Sequence, residues 1–336
     1  MFSPQRPLVF IACALFFSAL PTSAQASPWT LPEKYLLITL DSNFQNADQE
    51  FLPDGTLQSF PLQGEFSAFT FTPGARYGIS DDFEVAFDFN IKQVSYQSDP
   101  IVLGLPDDPT DLSQVNASIF DFSHSETGLG DGRIFGRYNL YRSLLMVTSQ
   151  TSLSFPIGYS TPRGTFSEDT PNPAGIQDDV TLGDGQTDLA QAFLFGVYIP
   201  PTNSFARLDI GYAHRFGPPG DQGFASLSFG QYIGSSVLVF AGARGAYTIF
   251  DGESIGQSFI TRTPDKPSNE FLVSDVEAID ITQDKDYVSV EGGVILKVQD
   301  VEMRLSYDQV VWGANIPQIK SYSLGVIYAM DFRDEE

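Results

Sequence analysis

The stretch "DDFEVAFDFNIKQVSY", Asp81 to Tyr96, alternates with a strictness that decides the fold. Phe83, Val85, Phe87, Phe89 and Ile91 share one parity, and Glu84, Asp88, Asn90 and Lys92 share the other, with only Ala86 among them. Successive side chains of a β-strand point to opposite faces. One face of this strand is therefore greasy and the other charged over nine residues, whereas strands of globular proteins usually run to about 5–6. A face of Phe, Val and Ile this long is needed where a strand meets lipid. The charged face then lines an enclosed, hydrated interior, and the backbone must be paired within a closed sheet because lipid cannot hydrogen-bond to it.

The same alternation recurs in twelve segments, at about 34–41, 65–77, 83–96, 133–141, 144–156, 188–199, 205–216, 224–233, 237–249, 287–298, 301–308 and 321–332. Most approach the ~9–11 residues with which a tilted strand crosses a bilayer. The connections alternate between long (45–64, 97–132, 157–187, 251–286) or moderate (217–223, 313–318) and tight (78–82, 142–143, 200–203, 234–235, 299–300). Outer-membrane barrels have long extracellular loops and short periplasmic turns. With both termini periplasmic, a long connection should follow the first strand, and it does. A secreted β-sandwich accounts for single strands. It does not account for the alternating loops or for the aromatic residues at strand ends, such as Tyr77, Phe83, Tyr141, Tyr212 and Tyr328. The expected fold is all-β: an antiparallel transmembrane β-barrel of about twelve strands, with residues 27–336 as one domain.

Residues 1–26 read as a secretory signal peptide: Arg6, an apolar run from Leu8 to Leu20, and the small-x-small site Ala24-Gln25-Ala26. Cys13 lies in a faintly lipidation-like Ile11-Ala12-Cys13, but the apolar run continues past it. Removing the signal removes the single cysteine, so an exported chain of this kind uses no disulfides. The 42 acidic against 18 basic residues, a net charge of −24, argue against nucleic acid as a partner. The parity of Tyr322, Leu324, Val326, Tyr328, Met330 and Phe332 looks like the final-strand signal read by the barrel-assembly machinery, although Arg333 to Glu336 follow it.

"FTFTPGARYGISDDFEV", "TGLGDGRIFGRYNL" and "GYAHRFG" resemble a bacterial outer-membrane family of transporters associated with the meta-pathway of phenol degradation. The resemblance implies passage of small, hydrophobic or aromatic molecules. It identifies no substrate residues.

Parity sends nine basic side chains inward: Arg76, Lys92, Arg133, Arg137, Arg207, Arg215, Arg244, Lys297 and Arg304. Eight acids share that side: Asp41, Glu84, Asp88, Asp209, Glu291, Glu302, Asp308 and Asp331. The interior is then almost neutral, and the excess negative charge lies in the loops. A three-residue turn at Ile79-Ser80-Asp81 would place Arg76 opposite Glu84, and a two-residue turn at Gln299-Asp300 would place Lys297 opposite Glu302 and Glu291 opposite Asp308. Arg244 is expected to compensate Glu291. The ladder either fills the lumen or lines a polar conduit.

No cofactor is expected. Asp178, Asp179, Asp184 and Asp188 are candidates for a hard cation such as Ca²⁺, but the EF-hand spacing is missing. Gly128-Leu129-Gly130-Asp131-Gly132 precedes a strand and not a helix, unlike a phosphate loop. His124 and His214 stand in no His-x-Ser arrangement, which argues against an outer-membrane lipase. The reading is a channel for passive passage of a small-molecule solute, embedded in outer-membrane lipid and lipopolysaccharide. The alternative is a plugged barrel with acidic, cation-binding loops.

Overall fold

All twelve alternating segments form strands in the computed structural model, which describes residues 28–102, 119–120, 123–159, 182–261, 264–267, 270 and 276–333. In chain order they are β1 (Tyr35–Ala47), β2 (Glu65–Ser80), β3 (Phe83–Gln97), β4 (His124–Arg142), β5 (Leu145–Pro156) and β6 (Thr187–Ile199). The second half comprises β7 (Ser204–Phe216), β8 (Gln222–Ile233), β9 (Val237–Thr248), β10 (Asp286–Val298), β11 (Val301–Ala314) and β12 (Lys320–Asp331). Each pairs antiparallel with its chain neighbours. β12 returns to β1, from Tyr35↔Asp331 to Asn46↔Lys320, so the sheet is a closed barrel with no free edge.

Burial is inverted relative to a water-soluble protein. Phe87, Ile134 and Ile210 are at least half exposed on the outside, while Glu84 and Arg137 inside are 0% and 1% exposed. An exposed apolar surface that encircles a charged interior is stable only if lipid is the outer solvent. Among the described residues no helix is long and apolar enough to cross a membrane; the strands do the crossing.

Three boundaries differ from expectation. β1 runs to Ala47 and not 41, β11 to Ala314 and not 308, and β4 begins at His124 and not 133. The glycine-rich "TGLGDG" reads locally as a loop, yet it pairs with β3, with Leu129 opposite Ile91 and Gly128 opposite Lys92. The β2–β3 turn is also shorter than expected, Asp81-Asp82. A bulge between Gly78 and Ser80 shifts the ladder, so that Gly78 faces Glu84 and Arg76 faces Ala86. The β10–β11 turn keeps the expected register, Lys297↔Glu302 and Glu291↔Asp308, with Gln299 in the left-handed region at φ 57°.

At the long-loop end a short ribbon of Gln49–Phe51, Leu57–Ser59 and Ile316–Pro317 folds over the mouth. It helps to build an apolar core with Phe51, Phe60, Phe66, Val94, Tyr96 and Val310. At the seam where the barrel closes, Arg304 on β11 reaches across β12 to Asp41 on β1 at 2.8 Å. Gly325 of β12 lies beneath that bond. A Cβ there would come within 2.3 Å of Asp41 Oδ1.

Candidate functional site

The lumen has a floor, a waist and a ceiling. The floor, at the end with tight turns, is a stretch of main chain that precedes β1. Pro28 and Leu31 are buried there. The Leu31 amide donates to Glu84 Oε2 at 2.8 Å, and the Thr30 hydroxyl donates to the Asp81 carbonyl at 2.9 Å. Trp29 meets Phe205 edge to face with ring centroids 6.1 Å apart. The wall has been cleared for this segment: a Cβ on Gly196 would come within 2.3 Å of Pro28, and one on Gly78 within 1.9 Å of the Pro32 carbonyl.

Glu84 is the hub of the floor. Arg76 and Arg137 approach it at 2.8 and 2.9 Å. Arg137 also donates to Gln150 at 2.7 Å and lies 4.7 Å over the Phe135 ring. The bulge denies Arg76 a place directly opposite Glu84, but its side chain reaches the carboxylate diagonally.

At the waist, charges are matched around the wall. Arg133 pairs with Asp88 at 2.7 Å, Arg207 with Asp209 at 2.6 Å and Arg244 with Asp308 at 3.1 Å. Arg244 was expected to compensate Glu291. It does interact favourably with the Glu291 carboxylate, and it also pairs with Asp308, the other member of that facing pair, while its Nε donates to Ser289 at 3.1 Å. Such buried charges persist only when partnered and hydrogen-bonded.

The ceiling is the segment Leu182–Gln186, folded inward from the loop before β6. Lys92 donates to the Leu182 carbonyl at 2.6 Å, and Gln283 donates to the Asp184 carbonyl at 2.9 Å. Arg215 pairs with Asp184 and, at 3.5 Å, with Asp188. Tyr159 donates to Asp131 and accepts from the Gly185 amide at 3.0 Å. Lys285, in the loop before β10, is buried beside this group; burial pushes its amine down to about 7, against the opposing pull of Asp184.

Asp184 and Asp188 are thus held by an arginine. Among the described residues no three His, Cys, Asp or Glu side chains gather as a metal site; Asp178 and Asp179 lie outside the described residues. Lys297 and Glu302 stand 3.5 Å apart at the rim, 57% and 36% exposed. Asp331 is also exposed there, bonded to Arg333. The floor segment, Asp131 and Lys285 were not foreseen: the floor has no periodicity, Asp131 sits in the glycine-rich run, and Lys285 lies in a loop.

Between floor and ceiling lies a cavity of about 310 Å³. Arg133, Arg137, Arg215, Arg244 and Arg304 border it, as do Asp41, Asp88 and Asp209.

An outer membrane channel from Pseudomonas putida F1 superposes with a TM-score of 0.59 at 9% identity, covering 91% of this chain and 98% of that one. The fold is that of an outer-membrane β-barrel. Weaker likenesses are to the NanC porin (TM-score 0.45, 8% identity, 87% of this chain and 98% of that one) and to the CymD monoaromatic hydrocarbon channel (0.41, 10%, 96% and 95%). By sequence the chain matches no protein-family model and no curated protein.

Proposed function

We propose that this barrel is an outer-membrane channel for passive passage of small solutes. The observation that carries the reading is the cavity itself: about 310 Å³ of space held inside a closed barrel by ion-paired polar side chains. A barrel with a purely structural role has no need to keep that volume open against the gain from packing it. The resemblance of three motifs to the phenol-pathway family supports small aromatic or hydrophobic solutes. The exposed apolar belt would sit in outer-membrane lipid and lipopolysaccharide, and the β12 parity supports delivery by the barrel-assembly machinery.

A second reading has its own support. The floor and the ceiling both narrow the path, which favours a plugged barrel. Single-channel recording of the refolded chain in a planar bilayer separates the two. The intact chain should give small steps, and a chain beginning at Lys34 should give larger ones. Glu84 keeps Arg76 and Arg137 after that truncation, so the barrel should still fold. Folded barrels of both lengths with no steps would leave the plugged reading.

A further inference from the structure

The cavity wall has two unlike sides. In the barrel order, β6, β7 and β8 stand across from β12, β1 and β2. On the first group Ala190, Ala192, Ala213 and Phe224 face the cavity. They form a low apolar band, with Asp188 and Arg215 above it, Gln222 level with Ala213, and Asp209 and Ser226 below, as the registers of β6–β7 and β7–β8 require. On the opposite side the lining is Asn43, Gln45, Thr70, Thr72 and Ser323, together with Asp41, whose carboxylate is paired with Arg304.

The apolar band has a platform. Gly211 of β7 lies opposite Phe224 of β8. A Cβ on Gly211 would stand 2.2 and 2.6 Å from two Phe224 ring carbons. The end of the ring therefore packs over the bare backbone of Gly211, and the ring lines the cavity there. An aromatic face is a stacking surface for a planar or ring-shaped solute.

Apart from Asp41, which Arg304 neutralises, the polar side is a set of uncharged hydrogen-bonding groups, several already in contact with one another. Thr72 Oγ1 bonds Asn90 Oδ1 at 2.8 Å, and Asn43 Nδ2 donates to the Ser323 hydroxyl at 2.7 Å. Amide and hydroxyl groups have more donor and acceptor capacity than one bond each uses. The charges around the cavity are engaged with each other, Arg133 with Asp88, Arg304 with Asp41 and Arg207 with Asp209. A charged solute would have to break such a pair or be desolvated without a partner.

We infer that the cavity is a saturable site for a neutral, amphipathic small molecule of one or two rings, stacked on Phe224 with a hydroxyl or amide edge turned to Asn43 and Thr72. Its volume of about 310 Å³ is at the small end of ligand cavities, roughly 300–1,000 Å³. That size excludes chains of several sugars or residues. A wholly apolar compound would leave the Asn43–Thr72 side desolvated without new bonds. Solutes reach this site across the membrane only if the channel reading holds, but binding can be measured without transport.

The test uses the full chain in lipid nanodiscs and three probes that share one ring system: 2-naphthol, naphthalene and 2-naphthoate. Fluorescence titration should show one saturable 2-naphthol site per chain, absent in Ala192→Phe, which fills the cavity; this separates binding from partition into lipid. Both 2-naphthoate and naphthalene should bind about tenfold more weakly or less. Phe224→Ala should weaken 2-naphthol about tenfold, a loss typical of a removed aromatic partner plus its buried area. Thr72→Val and Asn43→Leu should weaken 2-naphthol and leave naphthalene unchanged or tighter. Equal affinity for all three probes, or no difference between wild type and Ala192→Phe, would overturn the inference. Conductance recorded on the same preparation tests the channel separately: steps without 2-naphthol binding sink the site alone, and binding without steps sinks the channel alone.

Discussion

The two ends of the lumen are closed by opposite means. The floor is main chain, Pro28 to Glu33, resting on one fully buried carboxylate, Glu84, that serves two arginines and the Leu31 amide. The ceiling is a loop segment held by side chains from many places: Lys92 from β3, Arg215 from β7, Tyr159 from the far end of the same connection and Gln283 from the loop before β10. A hub concentrates the cost of failure at one residue, while a distributed grip spreads it. The floor should give way to a single substitution and the ceiling should erode by degrees.

The largest effect expected is at the hub. Glu84→Ala leaves Arg76 and Arg137 buried without their shared partner, a loss on the order of 3–5 kcal/mol. The urea midpoint of the refolded barrel should fall accordingly, and conductance should rise as the floor loosens. An unchanged midpoint would place the support of the floor elsewhere.

A smaller effect, with a pH signature, is expected above the ceiling. Glu50 is buried in the ribbon over the mouth, and burial raises its carboxyl to about 8 against the lowering bond from Gln58. Folded Glu50 thus keeps a proton that the unfolded chain releases near its ordinary 4.5. The stability it contributes is full below that lower value and lost as pH rises through about 8. Glu50→Gln should be near neutral at pH 4 and stabilising by about 1–3 kcal/mol at pH 9. Amide exchange across Gln49–Phe51 at the two pH values reads this directly; equal protection at both would contradict it.

The smallest effect is at the rim. Lys297→Ala removes a half-exposed pair with Glu302 and should cost no more than about 0.5–1 kcal/mol, less still in high salt. A loss of several kcal/mol would mean that the periplasmic rim, and not Glu84, supports that end.

Much of the barrel was legible because lipid imposes a period of two over whole strands. Phe83 to Ile91 could be oriented from the sequence, and the matched arginines and acids of β2–β4 were placed inward by parity. The losses have physical causes. Glycine carries no facial preference, so "TGLGDG" hid the first nine residues of β4 and with them Asp131. A bulge is one extra residue with no hydrophobic mark, so the offset that moved Arg76 off Glu84 was invisible. Pro28 to Glu33 is short and aperiodic, and its place inside the lumen follows from bare glycines on strands far along the chain, Gly78 and Gly196. Asp308 as a further partner of Arg244 was hidden because it depends on Ser289, its neighbour on β10, which donates to the same Asp308 carboxylate at 3.0 Å, a side-chain contact that parity does not show.

The bond between Arg304 and Asp41 joins residues 263 positions apart over the bare backbone of Gly325. Until β1 meets β12, the two lie near opposite margins of an unfinished sheet, each hydrated and neither within reach of the other. Their meeting is therefore a record that the ring has shut. It also acts as a catch: to reopen the seam, two charges must be separated inside a wall where water is scarce. Birth of the barrel and its resistance to unzipping are written into the same three residues.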